Sequence, residues 1–121
     1  MKIMIVDDST IIRNRVARIL QNNKLSHFNL AGSASNGIEA IRVFNQTKPD
    51  IVTMDLTMPG MDGVECTLAL VEMNPNIKIL IISALSDKAT AINALKNGAQ
   101  GFLYKPFTDE ELTEALLEIA E

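Results

Sequence analysis

Five short runs suited to β-strands alternate along this chain with five stretches that place apolar residues at helical spacing. Few folds can accommodate that alternation. The strand candidates are Ile3–Val6, Phe28–Ser33, Asp50–Met54, Lys78–Ile82 and Gly101–Tyr104. Runs such as "IVTM" and "KILII" are near-continuous and aliphatic, which suits parallel strands covered on both faces. Between the strands, Ile12, Val16, Ile19 and Leu20 form one helical stripe, and Val64, Leu68 and Val71 form another. The second helix follows an Asn36-Gly37 turn and carries Ile38, Ile41 and Phe44. The fourth, Lys88–Lys96, has Ile92 and Leu95 as its main anchors, and Gly98 after Asn97 is its stop. Leu112, Ala115, Leu116 and Ile119 mark the last helix. Five βα units with short loops predict a doubly wound α/β sandwich, one domain over residues 1–121. The right-handed crossover rule leaves few strand orders open.

Composition excludes several function classes. Aromatics are 4% with no Trp, so the core is aliphatic. A net charge of −4 argues against a general affinity for nucleic acid or anionic membrane surfaces. No apolar run approaches the ~20 residues that span a bilayer. Asp7 and Asp8 interrupt the N-terminal apolar run too early for a secretory signal. The one cysteine, Cys66, has no partner for an internal disulfide, and the expected setting is the cytoplasm.

In open α/β sheets, ligands bind outside the carboxyl ends of the strands. The first strand ends in Asp7 and Asp8, the third in Asp55, the fourth in Ser83 and the fifth in Lys105. The second ends in "SASNG", without charge. An aspartate after a strand is often only the N-cap of the next helix, and Ser9 could share that task. Capping does not account for the whole set. Three neighbouring carboxylates raise one another's pKa or repel the loops apart. A hard divalent cation resolves this, and magnesium typically takes one or two carboxylates, waters and a phosphate oxygen. The arrangement predicts a Mg2+ site awaiting a phosphoryl group.

The stretches "IVDDS", "DIVTMDLTMPGMDG", "LIISA" and "YKPF", with "ASNGIEAI" and "KNGAQGF", together resemble the receiver domain of bacterial two-component response regulators. The resemblance covers Lys2 to Ile119 and implies a flavodoxin-like (βα)5 sandwich with strand order 2-1-3-4-5. It implies that Asp55 is the phosphoacceptor, with Asp8 and Asp55 on magnesium directly, the Thr57 backbone carbonyl as a third ligand and Asp7 acting through a bound water. Ser83 would hydrogen-bond the phosphoryl group, Lys105 would pair with it, and the Lys105-Pro106 bond would be cis. The chemistry agrees. A carboxylate attacks an anionic phosphoryl group poorly unless positive charge offsets the repulsion and holds the group in line. Lysine supplies that charge compactly. The resemblance also implies that Ser83 moves towards the phosphoryl group and Tyr104 fills the vacated space, with the fourth helix, fifth strand and fifth helix as signalling surface. Thr57 and Leu85 would flank the path of attacking water. Apolar Leu85 then predicts slow self-dephosphorylation.

His27 is the only histidine and precedes the second strand, so the phosphodonor should be another protein, a sensor histidine kinase. Further expected partners are a downstream protein target, such as a flagellar motor switch or an effector, and a phosphatase. No nucleic acid or membrane is expected to bind this domain. The expected form is a stand-alone receiver of the chemotaxis type, with no enzymatic turnover beyond its own phosphorylation and dephosphorylation. A flavodoxin-like cofactor binder would need a Ser/Thr/Gly-rich phosphate loop where Asp7 and Asp8 stand. An aspartate-nucleophile phosphotransferase would need a second acid and a cap, for which there is no insertion. An unphosphorylated interaction module on the same fold usually loses acidic or lysine positions, and Asp7, Asp8, Asp55, Ser83 and Lys105 are all present.

Overall fold

A computed structural model describes residues 1–58 and 60–121; Pro59 of the "DIVTMDLTMPGMDG" stretch lies outside them. The strands are β1 (Lys2–Val6), β2 (Asn29–Ala34), β3 (Ile51–Asp55), β4 (Lys78–Ala84) and β5 (Gly101–Lys105). Each is followed by a helix: α1 (Thr10–Ile19), α2 (Gly37–Thr47), α3 (Gly63–Met73), α4 (Lys88–Lys96) and α5 (Asp109–Ala120). The strands form one sheet in the order β2-β1-β3-β4-β5, and every neighbouring pair is parallel. This is the doubly wound sandwich that the alternation predicts. β4 runs two residues past its predicted end at Ile82, so Ser83 lies inside the strand, paired in register with Tyr104.

Alternate strand residues feed two cores. Met4, Val6, Val52, Met54, Ile79 and Ile81 face α2, α3 and α4. Ile3, Ile5, Ile51, Leu80 and Ile82 face α1 and α5. Local chemistry starts most of the helices. Ser9, Asn36 and Asp62 accept from Ile12, Glu39 and Glu65 backbone N–H groups, and Thr108 with Glu111 forms a capping box. Gly98 terminates α4 as predicted, with φ +116°.

Two predicted helix faces are rotated. α3 buries Cys66, Thr67 and Leu70, whereas Leu68 is 43% exposed and Val64 and Val71 are half-buried. α4 buries Ala91 and Ala94; Ile92 is 41% exposed and Leu95 half-buried. On both helices the small side chains turn inward, because close approach of helix to sheet gains more contact than a bulky residue that holds it off. In α2, Ile38 is likewise 73% exposed, while Phe44 is buried as predicted.

Gly63 shows how tight that approach is. Its N–H donates to the Leu56 carbonyl at 2.9 Å. A Cβ at Gly63 would lie 2.5 Å from Leu56 Cα and closer still to the Asp55 carbonyl oxygen. No side-chain rotation relieves a clash with backbone. Gly63→Ala is therefore expected to lower stability by about 2–3 kcal/mol in denaturant unfolding. A loss below about 0.5 kcal/mol would mean that α3 shifts freely.

Candidate functional site

The carboxyl edge of the sheet gathers the polar strand ends into one cluster. Asp7 and Asp8 follow β1, Asp55 closes β3 and Lys105 closes β5. Asp7 and Asp55 are buried and Asp8 is exposed. One carboxylate oxygen from each of the three lies within 4.8 Å of the other two. Lys105 Nζ donates to Asp7 Oδ2 at 3.0 Å and to Asp55 Oδ1 at 3.5 Å, so it bridges the two buried acids. Asp7 is held further by the Ser9 N–H on its Oδ1 at 2.9 Å. Three carboxylates face one ammonium, and the cluster is net negative.

The electrostatics follow from that imbalance. Burial, reinforced by the charge of Asp7, pushes the Asp55 carboxyl up to about 6, although Lys105 and the Thr57 N–H pull it down. Burial alone would lower Lys105, but its hydrogen bond to Asp7 and the charge of Asp55 outweigh that and raise it. A cluster of hard oxygen donors whose repulsion one lysine only partly offsets fits a divalent cation. Asp7, Asp8 and Asp55 could therefore hold one.

The remaining predicted residues lie at or just past the carboxyl ends of β3, β4 and β5. Ser83 is buried, and its Oγ makes no hydrogen bond with any described residue. Tyr104 is half-buried and its ring packs edge-on against Phe102, with centroids 5.1 Å apart. Thr57 is exposed; its N–H donates to Asp55 Oδ1 at 3.4 Å and its hydroxyl to Asp87 Oδ2 at 3.4 Å. Leu85, in a 3-10 turn directly after β4, is 65% exposed. The Lys105-Pro106 bond is cis, as the family resemblance implies.

Sequence reasoning missed three neighbours. Arg13 Nη1 donates to the Asp7 carbonyl at 2.6 Å and Nη2 to Thr10 Oγ1 at 3.1 Å, fixing the turn that carries the acidic pair. Arg15 donates to the Phe107 carbonyl, lies 4.5 Å over the Phe107 ring and pairs with Asp109 at 3.4 Å. It thereby ties α1 to the loop after Lys105. Asp87 is the third. Both arginines read in sequence as the polar face of α1, and nothing local marks Asp87.

Comparison with known proteins agrees with this arrangement. The family model described as "Response regulator receiver domain" matches residues 3–117. The chain is similar to the chemotaxis protein CheY of Listeria monocytogenes, at 36% identity over 100% of this chain and 99% of that protein. It is also similar to the chemotaxis protein CheY of Thermotoga maritima, at 38% identity over 99% of this chain and 98% of that protein. Among solved structures, the CheX-CheY-BeF3-Mg+2 complex from Borrelia burgdorferi contains a chain matching at TM-score 0.91 and 29% identity, over 100% of this chain and 90% of that one.

The raised Asp55 carboxyl has a consequence for stability. The folded state holds this proton more tightly than the unfolded state, so folding loses stability as pH rises from about 4 to about 6. Asp55→Asn removes the buried charge. It is expected to stabilise the metal-free protein by about 2 kcal/mol at neutral pH, with the gain fading as pH falls from about 6 to about 4. Added magnesium should narrow the gap. Denaturant unfolding at several pH values measures this, and a variant less stable than wild type at neutral pH contradicts it.

Proposed function

Because the chain belongs to the response regulator receiver domain family, we propose that it is a phosphorylation-activated signalling switch in which Asp55 accepts a phosphoryl group from a histidine kinase. The observation that carries this reading is the Lys105 bridge. One ammonium reaches both Asp7 and Asp55, two buried acids, with exposed Asp8 beside them and a net negative charge left over.

Each residue then has a chemical task. Asp55 attacks phosphorus with a carboxylate oxygen, and the bond to the donor histidine nitrogen breaks with its electron pair on the imidazole. Lys105 offsets the charge that gathers on the phosphoryl oxygens. Asp7, Asp8, Asp55 and the Thr57 carbonyl would hold magnesium, Asp7 through a water, and the ion when bound supplies further charge neutralisation. The Ser83 hydroxyl, without a partner among the described residues, would donate to a phosphoryl oxygen.

Movement of Ser83 would carry the signal to the α4–β5–α5 face. Tyr104 and Phe102 stand on the same face of β5, and Tyr104 is the register partner of Ser83. Moving such a balance from 1:99 to 99:1 requires about 5.5 kcal/mol, within reach of a few charge-assisted hydrogen bonds. Relatives named as chemotaxis proteins support a chemotaxis-type output to a downstream protein, a flagellar motor switch or an effector. The CheX-CheY-BeF3-Mg+2 complex from Borrelia burgdorferi, which contains a chain similar to this one, supports the metal and a protein partner. No turnover of an external substrate is part of this reading.

Incubation with magnesium and a small-molecule phosphodonor, read by intact mass, tests it. Wild type should gain one phosphoryl group only with magnesium, Asp55→Asn should gain none, and the Tyr104 ring resonances should shift in the adduct. No adduct, with magnesium binding shown separately, would leave an unphosphorylated interaction module. Unmoved resonances would remove Tyr104 from the switch.

Leu85, exposed directly after β4, would present an apolar side chain beside the path of attacking water. Decay of the adduct should accelerate several-fold in Leu85→Glu, roughly the worth of one hydrogen bond to the attacking water. An unchanged decay rate would show that Leu85 does not set the lifetime.

A further inference from the structure

The hydroxyl of Thr57 has one hydrogen to give, and Asp87 receives it. Thr57 Oγ1 lies 3.4 Å from Asp87 Oδ2, and an ionised carboxylate only accepts. The contact joins the loop after β3, which touches Asp55 through the Thr57 N–H, to the turn after β4, 30 residues further on.

Asp87 ends the 3-10 turn Leu85–Asp87 that runs into α4, with φ −98° and ψ 22° instead of the extended backbone of the other helix starts. It occupies the N-cap position of α4, where an aspartate ordinarily accepts from an N–H of the first helical turn. It makes no such bond. Ser9, Asn36, Asp62 and Thr108 all cap their helices, so α4 alone begins with a capping residue whose side chain is engaged elsewhere. Two observations thus agree: the carboxylate is absent from the helix end and present on Thr57.

Thr57 in turn borders the acceptor, since its N–H reaches Asp55 Oδ1 at 3.4 Å. With its hydrogen directed at Asp87, exposed Oγ1 has only lone pairs left to offer. Only a hydrogen-bond donor can use them, and beside a phosphorylated Asp55 the mobile donor is water.

We infer that Asp87 is a positioning residue for hydrolysis of the aspartyl phosphate, holding the Thr57 hydroxyl as the acceptor that orients the attacking water. This rests on the reading of Asp55 as phosphoacceptor. In the step, the water oxygen forms a bond to phosphorus. The bond from phosphorus to the Asp55 oxygen breaks, and its electron pair stays on the carboxylate. One water proton remains on the released phosphate and the other passes to phosphate or solvent. Thr57 and Asp87 take no proton; they aim the water's lone pair at phosphorus.

Asp87→Asn is the informative variant. Its amide can donate to Thr57 Oγ1 and so release the hydroxyl hydrogen towards the site. Wild type, Asp87→Asn, Thr57→Ala and the double variant are loaded with a small phosphodonor and magnesium, desalted, and followed by intact mass. Decay should slow about fivefold in Asp87→Asn, the scale of one hydrogen bond. In the Thr57→Ala background the same change should have no effect. Equal slowing in both backgrounds, unchanged decay or faster decay would each overturn the inference. In the unphosphorylated protein, Asp87→Asn should shift the Thr57 side-chain resonances and leave hydrogen exchange of the α4 first turn unaltered. Loss of protection there would make Asp87 a helix cap instead. If wild type takes up no phosphoryl group, the acceptor assignment fails. If it loads but decay is insensitive to Asp87, this inference alone fails.

Discussion

Lys105 spans a distance that the sheet order makes long. In the order β2-β1-β3-β4-β5, β5 is two strands from β3 and three from β1. Adjacent strands lie about 4.8 Å apart. Yet Lys105 Nζ reaches Asp55 at 3.5 Å and Asp7 at 3.0 Å. Only a long, flexible stem ending in a compact charge can reach past the end of β4 to both acids, which is why lysine and not a shorter base suits the position. Without that ammonium, two buried carboxylates would face each other uncompensated at the junction of β1 and β3. The arrangement of the loops after all three strands follows from this bridge. Arg13 on the Asp7 carbonyl and Arg15 on the Phe107 carbonyl hold its two ends in place.

The opposite side of the sheet is less firmly held around α4. That helix buries only Ala91 and Ala94 of its own residues and starts without a side-chain cap. Ser83 belongs to the same side of the sheet, beneath it in the alternation with Ile79 and Ile81. A helix with few buried apolar contacts opens at low cost, so a small change at Ser83 or Asp87 falls on the element least able to resist it. α3 contrasts with this. Its N-terminal Gly63 lies against the Asp55 and Leu56 backbone with no room for a side chain, which fixes α3 closely to the end of β3.

Much of this was legible from local pattern. The alternation of strand runs and helical stripes fixes the βα count, and the rule that ligands gather at strand carboxyl ends singles out Asp7, Asp8, Asp55, Ser83 and Lys105 before any coordinates. Rotated helix faces in α3 and α4 were not legible. Hydrophobicity ranks Leu68 and Ile92 above Cys66 and Ala91, whereas packing against a sheet rewards the side chain that lets the helix come closest.

The sequence by itself determined the elements, the caps that begin four of the helices, and which residue types end each strand, because these depend on neighbours a few positions away. Strand order came from likeness to a family, since hydrophobic periodicity carries no information about which strands adjoin. Only the tertiary structure decided that Lys105 bridges Asp7 and Asp55, that Arg15 grips the loop after β5, and that Asp87, in the turn before α4, accepts from Thr57. Those partners lie 98, 50, 92 and 30 residues apart along the chain. Each choice is made by distance across the folded sheet, where a polar group takes the nearest partner in space and not the nearest in sequence.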